Sequence, residues 1–170
     1  PAFPTGGFAY SHGLEWAVEA GDIRTEADLS AWLHDVLHHG AGRADAILMR
    51  HAHRADDLAA LSDVAELAAA AQPCRERQAE TLGQGGAFAL AAAVWGAPLL
   101  AALAAASSPV AYPVAVGALA QAHGVAEDSA ALALLHAFTA NLVSAAVRLV
   151  PFGQTAGLRI LHALEPTIEQ

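Results

Sequence analysis

The chain has 170 residues, and a globular chain of this length buries roughly 70% of its unfolded surface without needing staples. Its formal charge is −9, and all eight basic residues are arginine, with no lysine. That balance excludes a phosphate-backbone binder, which needs a basic face, and a surface that docks on anionic lipid. The single cysteine, Cys74, excludes an internal disulfide framework and suits a reducing compartment, so the expectation is cytoplasm. Alanine and leucine favour helix, and no alternating β-branched runs are bounded by turns. The reading is all-α, a single-domain bundle of about nine to ten helices spanning residues 1–170.

In chain order, FPTGGFAYSHGLEWA (residues 3–17) comes first, with glycines and aromatics running into a helix predicted from Ser11 to Ala20. Ser11 reads as its N-cap and Gly21 as its stop. Thr25 caps a second helix with Asp28 in a capping-box pattern, its apolar face being Leu29, Trp32, Leu33, Val36 and Leu37. Gly40 and Gly42 break it before a third helix over 43–54. Asp56 or Asp57 caps a fourth, from Leu58 to Ala71. The fifth begins in CRERQAE and carries Gly83, Gly85 and Gly86, which weaken it alone but allow a close helix crossing. Pro98 starts a sixth, ended by Ser107, Ser108 and Pro109, and Tyr112-Pro113 a seventh, ended by Gly124. The eighth runs from Glu127 or Asp128 to Leu149 or Val150. Pro151 and Gly153 break it, and a ninth runs from about Thr155 to Pro166.

Most of the 17 acidic residues lie in the first 80, and none of Asp, Glu, Lys or Arg occurs from Thr81 to Ala126. Such a run is long enough for a membrane span, but alanine gains little from lipid, and Gly96 and Pro98 interrupt it. Residues 129–147 carry His136, Thr139, Asn141 and Ser144, which are costly in hydrocarbon. Buried bundle helices, with an apolar face left for a partner, are the expectation. The charged groups around Arg24 and in the Arg75–Glu80 turn read as solvated faces. Trp16, Trp32 and Trp95 read as core.

Three chemistries bear on these residues. A phosphate loop needs a lysine that this chain lacks. Ala9-Tyr10-Ser11-His12-Gly13 lacks the strand that precedes a nucleophile elbow. His34 and His38, four apart on one helical face, invite a metal, with Asp35 or Asp45 as a further ligand and His39, His51 and His53 nearby in sequence. No HExxH or Cys/His cluster accompanies them, so the spacing supports weak, transient binding of a borderline metal more than a tight site. An independent helical metal-binding protein using the His34/His38 cluster is the alternative reading.

Two segments resemble one family. FPTGGFAYSHGLEWAVEAG is similar to the N-terminal signature of the urease accessory protein UreF family, roughly P-x-G-x-F-x-x-S-x-G-L-E, at Pro4, Gly6, Phe8, Ser11, Gly13, Leu14 and Glu15. VRLVPFGQTAGLRILHAL is similar to its C-terminal signature, basic-x-x-Pro-x-Gly-Gln, at Arg148, Pro151, Gly153 and Gln154, with Phe152 where leucine is common. The resemblance implies an all-helical, dimeric, cytosolic protein that is not an enzyme and has no cofactor of its own. It implies a scaffold between UreD (also called UreH) and the nickel-carrying GTPase UreG, for nickel insertion into apo-urease, that modulates UreG. It also implies a lead-in before Pro1 and a C-terminal tail that helps grip UreD.

With the resemblance, the opening stretch reads as an interaction surface. Its glycines let the backbone lie flat against a partner, and Phe3, Phe8 and Tyr10 are rigid anchors of the kind found at interface centres. The plainer alternative is that the stretch packs back over its own bundle. The partner-binding expectation comprises Pro4, Gly6, Phe8, Tyr10, Ser11, Gly13, Glu15, Arg148, Gly153 and Gln154.

Overall fold

The computed structural model describes residues 3–106 and 110–169, and the described residues form helices joined by short turns, with no strand. The all-α expectation holds. After a 3-10 turn at Gly7–Ala9 come α1 (Leu14–Ala20), α2 (Glu26–His39), α3 (Ala41–Arg54), α4 (Leu58–Ala70) and α5 (Arg75–Ala92). A second 3-10 turn at Ala93–Trp95 leads to α6 (Pro98–Ala105), α7 (Tyr112–Ala122), α8 (Glu127–Leu149) and α9 (Gln154–Ile168). The expected stop at Ser107, Ser108 and Pro109 lies outside the described residues.

Local chemistry explains most of the boundaries. The Thr25 hydroxyl accepts from the Asp28 N–H at 3.2 Å, and the Asp28 carboxylate accepts from the Thr25 N–H at 2.8 Å, completing the capping box. Backbone N–H donation from Arg24 and the bonds with Thr25 hold the Asp28 carboxyl below its usual range. Asp57 caps α4 by accepting from the Ala60 N–H. Pro98 and Pro113 occupy first turns, where a missing N–H costs nothing. Two of the boundaries that differ from expectation have a local cause. The third helix starts at Ala41 rather than 43, because the Gly40 carbonyl already accepts from the Ala44 N–H. The ninth continues through Pro166 to Ile168. A proline one turn from a helix end forfeits little bonding, and Ile168 is buried in the core.

The chain divides into two compact units, Pro1–Gly6 with Asp45–Ala131, and Gly7–Ala44 with Leu132–Gln170. In the first, Leu48, Leu61, Phe88, Leu100, Leu103 and Val114 centre the core. The glycines of α5 act as their spacing suggests. A Cβ on Gly85 would stand 2.0 Å from the Val110 carbonyl oxygen, so only hydrogen fits where α5 meets the start of α7. Gly117 is placed likewise on α7, where a Cβ would reach 2.3 Å from the Met49 carbonyl. Gly83 has open space.

Part of the Arg75–Glu80 turn is not the solvated face expected of it. Glu80 is buried and the Arg77 side chain is 11% exposed, its guanidinium bridging Glu80 at 3.3 Å and buried Asp45. Gln84 donates to Glu80 within the same cluster. Helix register turns these side chains inward, and pairing is what makes buried charge tolerable. Burial and the nearby Asp45 carboxylate push the Tyr112 hydroxyl above its ordinary pKa.

Trp16 and Trp95 are not core: they are 70% and 55% exposed, and only Trp32 packs partly against the second unit's interior. Trp16 lies two positions after the buried Leu14, on the far side of a one-faced helix. Trp95 sits in a 3-10 turn. With Leu90 and Val94, about 80% exposed, it flanks an apolar groove of about 500 Å³ lined by Gly86, Ala89, Ala93, Ala97, Leu100 and Ala104. The surplus apolar surface anticipated in the uncharged stretch is present. Among the described helices α8 alone is long and apolar enough to cross a membrane, by length and composition only.

In the second unit, Leu14, Leu29, Leu33, Leu142, Ile160 and Leu164 form the core, and Arg159 on α9 pairs with Glu26 on α2 at 2.6 Å.

Two predictions follow from the first unit. Gly85→Ala drives a methyl into backbone and lowers unfolding free energy by about 3 kcal/mol, whereas Gly83→Ala raises it by about 1 kcal/mol, both read by urea unfolding. The second concerns Glu127, which accepts from Arg54 and Arg50; these bonds lower its carboxyl pKa from 4.5 to about 2. The folded state therefore holds this proton less readily than the unfolded chain. The stabilisation is complete above the ordinary carboxylate range and is lost as pH falls from 4.5 through about 2. Glu127→Gln is expected to lower the melting temperature modestly at pH 7, with the difference from the parent closing by pH 2, followed by circular dichroism.

Candidate functional site

The site grows from one face of α8. Phe138, Asn141, Ser144 and Arg148 recur at spacings of three and four, which puts them on one stripe. The Asn141 amide donates to the Gly7 carbonyl at 2.7 Å and, more weakly, to the Tyr10 carbonyl at 3.4 Å. The Arg148 guanidinium donates to Ser144 Oγ at 3.0 Å and reaches the Phe8 carbonyl at 3.4 Å, a residue 140 positions away. Phe138 meets the His12 ring edge-on, with centroids 4.9 Å apart. Side chains of α8 thus add to the backbone bond of this turn, in which the Tyr10 N–H donates to the Gly7 carbonyl at 3.2 Å.

This capture fixes the backbone and leaves side chains outward. Phe8 is 74% exposed, and Tyr10 is half-buried. His12 and Gly13 both have positive φ, 55° and 85°. For histidine that left-handed geometry is uncommon and costs about 1 kcal/mol. The two residues swing the chain into α1, whose N-cap is Gly13 and not Ser11. Ser11 is therefore buried two residues before the cap, where its hydroxyl donates to the Glu15 carboxylate rather than accepting from a backbone N–H. That bond engages both Ser11 and Glu15, and the hydroxyl is not directed at His12.

The C-terminal motif is tied to the same helix. A Cβ on Gly157 would stand 3.0 Å from a Val147 methyl and 3.2 Å from a Val143 methyl, so the first turn of α9 lies tight on α8. Gly153, at φ 75° and ψ 163°, is the α9 N-cap and provides no side-chain cap. Gln154 opens α9 and is exposed, as are Pro151 and Gly153. Phe152 turns back onto the core. Leu158, one turn further on, is 68% exposed.

Of the ten expected residues, Phe8, Tyr10, Ser11, Gly13, Glu15, Arg148, Gly153 and Gln154 fall in the second unit. Pro4 and Gly6 belong to the first, where neighbouring Phe3 stacks on Phe88 at 4.4 Å. The anchor that sequence reasoning missed is Asn141. Its signal was present, an amide in the uncharged run 129–147, but it bore only on the membrane question. Trp16, which the reading placed inside, is a further exposed apolar side chain of this unit, as is Leu158.

The model of the UreF family matches residues 23–165. The chain belongs to the UreF family. It is 54% identical to the urease accessory protein UreF of a Methylobacterium species, an alignment covering 99% of this chain and 69% of that protein. It is 50% identical to the same-named protein of a Bradyrhizobium species and 51% to that of Rhodopseudomonas palustris, in each case over 99% of this chain and 72% of the relative. The resemblance read from the two end motifs is thereby shown, and the UreF match extends across the helices between them.

Three histidines of this UreF-family chain, His34, His38 and His39, lie near one another on α2. His34 and His38 face each other with ring centroids 4.3 Å apart, and His34 Nδ1 lies 3.9 Å from Asp35. Asp45, the other ligand considered, is engaged by Arg77. Among the described residues no group of three or more His, Cys, Asp or Glu side chains is arranged to hold a metal ion.

Asn141→Ala removes the stronger capture. It is expected to leave helix content unchanged and to cost about 1–2 kcal/mol locally. Amide hydrogen exchange of residues 7–13 should accelerate about tenfold or more, read by mass spectrometry against α2 as the internal standard.

Proposed function

We propose that this chain is a non-catalytic scaffold of urease maturation, joining UreD (UreH) to the GTPase UreG so that nickel reaches apo-urease, and that the α8-anchored corner is one of its grips. The observation that carries the reading is the attachment of both end segments to one helix, α8, with Phe8, Gln154 and Leu158 left outward. Exposed aromatic and aliphatic side chains on an immobilised backbone lose little entropy on docking, which is how interface anchors gain affinity. Nucleotide chemistry belongs to the partner in this reading, since a chain without lysine cannot make a P-loop. The nickel is cargo of the assembly and not a resident cofactor.

The reading includes a homodimer and a cytoplasmic setting. The uncharged face of the first unit, with Leu90, Val94 and Trp95 outward, suits a second copy. Two chains of net charge −9 meet least repulsion where neither bears charge.

The test is binding of purified UreG and UreD to the full-length protein carrying Phe8→Ala with Gln154→Ala. We expect unchanged circular dichroism, affinity reduced about thirtyfold for at least one partner, and reduced urease activation in cells. Retention of both affinities and of activation would overturn the assignment.

A further inference from the structure

We infer that Trp16 and Glu19, on the outer side of α1, receive an arginine or lysine side chain of a maturation partner. The inference rests on the scaffold reading and adds the chemistry of one of its contacts. Helix α1 has seven residues, of which Leu14 and Ala17 are buried while Glu15, Trp16, Glu19 and Ala20 are exposed. Spacings of three and four make Glu19 a neighbour of both Trp16 and Glu15. With 70% of its surface in water, the Trp16 side chain gives the fold little of the burial that an indole can supply.

The charge on this face is unfavourable in the chain alone. Glu19 stands one residue from the end of α1, where the helix dipole is negative, and Glu15 is a like charge one turn away. No basic residue lies on α1. The Arg24 guanidinium lies against Gly21, just past the helix end, and among the described residues Glu19 has no ion pair or side-chain hydrogen bond. A partner cation relieves both defects at once. It stacks on the indole, the best aromatic face for a cation, and neutralises the adjacent carboxylate. A second copy of this chain does not suit the face, because a two-fold contact would set these carboxylates against their own copies. The face also continues the corner: Ser11, in the segment that leads into α1, donates its hydroxyl to Glu15.

The experiment measures the affinity of the full-length protein for purified UreG and for purified UreD by calorimetry, at about 0.05 M and about 0.3 M NaCl. The variants are Trp16→Ala, Trp16→Phe, Glu19→Gln and Glu19→Lys, with Phe8→Ala plus Gln154→Ala measured beside them. For one partner we expect Trp16→Ala to weaken binding about thirtyfold and Trp16→Phe to recover part of it. Glu19→Gln should weaken the same partner about threefold and flatten its salt dependence, and Glu19→Lys should weaken it about tenfold. Both positions are exposed, so each variant should keep the parent's circular dichroism, and Glu19→Gln should melt no lower than the parent. If Trp16→Ala binds both partners normally while Phe8→Ala plus Gln154→Ala does not, the inference falls and the scaffold reading stands. Normal binding by every variant would overturn both. Loss of affinity in Trp16→Ala, with Glu19→Gln matching the parent at both salt concentrations, would mark a purely apolar contact and overturn the cationic assignment.

Discussion

The candidate surface depends on one interaction, the donation of the Asn141 amide to the carbonyl of Gly7 at 2.7 Å. A glycine-punctuated segment has high conformational entropy when free, and it has value as a binding surface only when its backbone is already ordered. The amide supplies that order from a long helix, through a backbone atom and not through an aromatic ring. Phe8 is consequently both positioned and exposed. Arg148 reinforces the same segment two turns along α8, with Ser144 between them steadying the guanidinium. The strained His12 is held by its contact with Phe138 and lets the chain enter α1 within a few residues.

The first unit solves a different problem with different residues. It packs alanine-rich helices, whose small side chains give little burial each, and compensates through close approach. Gly85 and Gly117 allow backbone to touch backbone where a methyl would collide with a carbonyl. The buried Asp45–Arg77–Glu80 cluster fits this setting, because a paired charge inside such a unit strongly opposes any register in which the pair is broken. The apolar residues that the unit leaves outside, Leu90, Val94 and Trp95, are gathered where the chain bears no charge.

Much of this was legible in the sequence. Capping boxes, prolines at first turns and glycine stops are local rules, and Thr25, Asp57, Pro98 and Gly21 obeyed them. Ser11 did not, because the left-handed pair His12-Gly13 moved the helix start two residues past it, and a local rule does not foresee that turn. Trp16 and Arg77 were misassigned for a common reason: residue type suggests burial or exposure, but helix phase decides it. The convergence of the end motifs was the least legible feature. It rests on a bond between residues 134 positions apart, and Asn141 resembles any polar residue that a long apolar helix must tolerate. Family resemblance supplied the motif residues, and the fold showed that α8 holds both segments.

The measurement that most directly tests the central claim is a hydrogen-exchange footprint of the full-length protein alone and in complex with UreD and UreG. The account predicts that residues 7–16 and 148–158 gain protection together on addition of the same partner, since one helix presents both. Protection confined to other helices, or of one segment without the other, would contradict it.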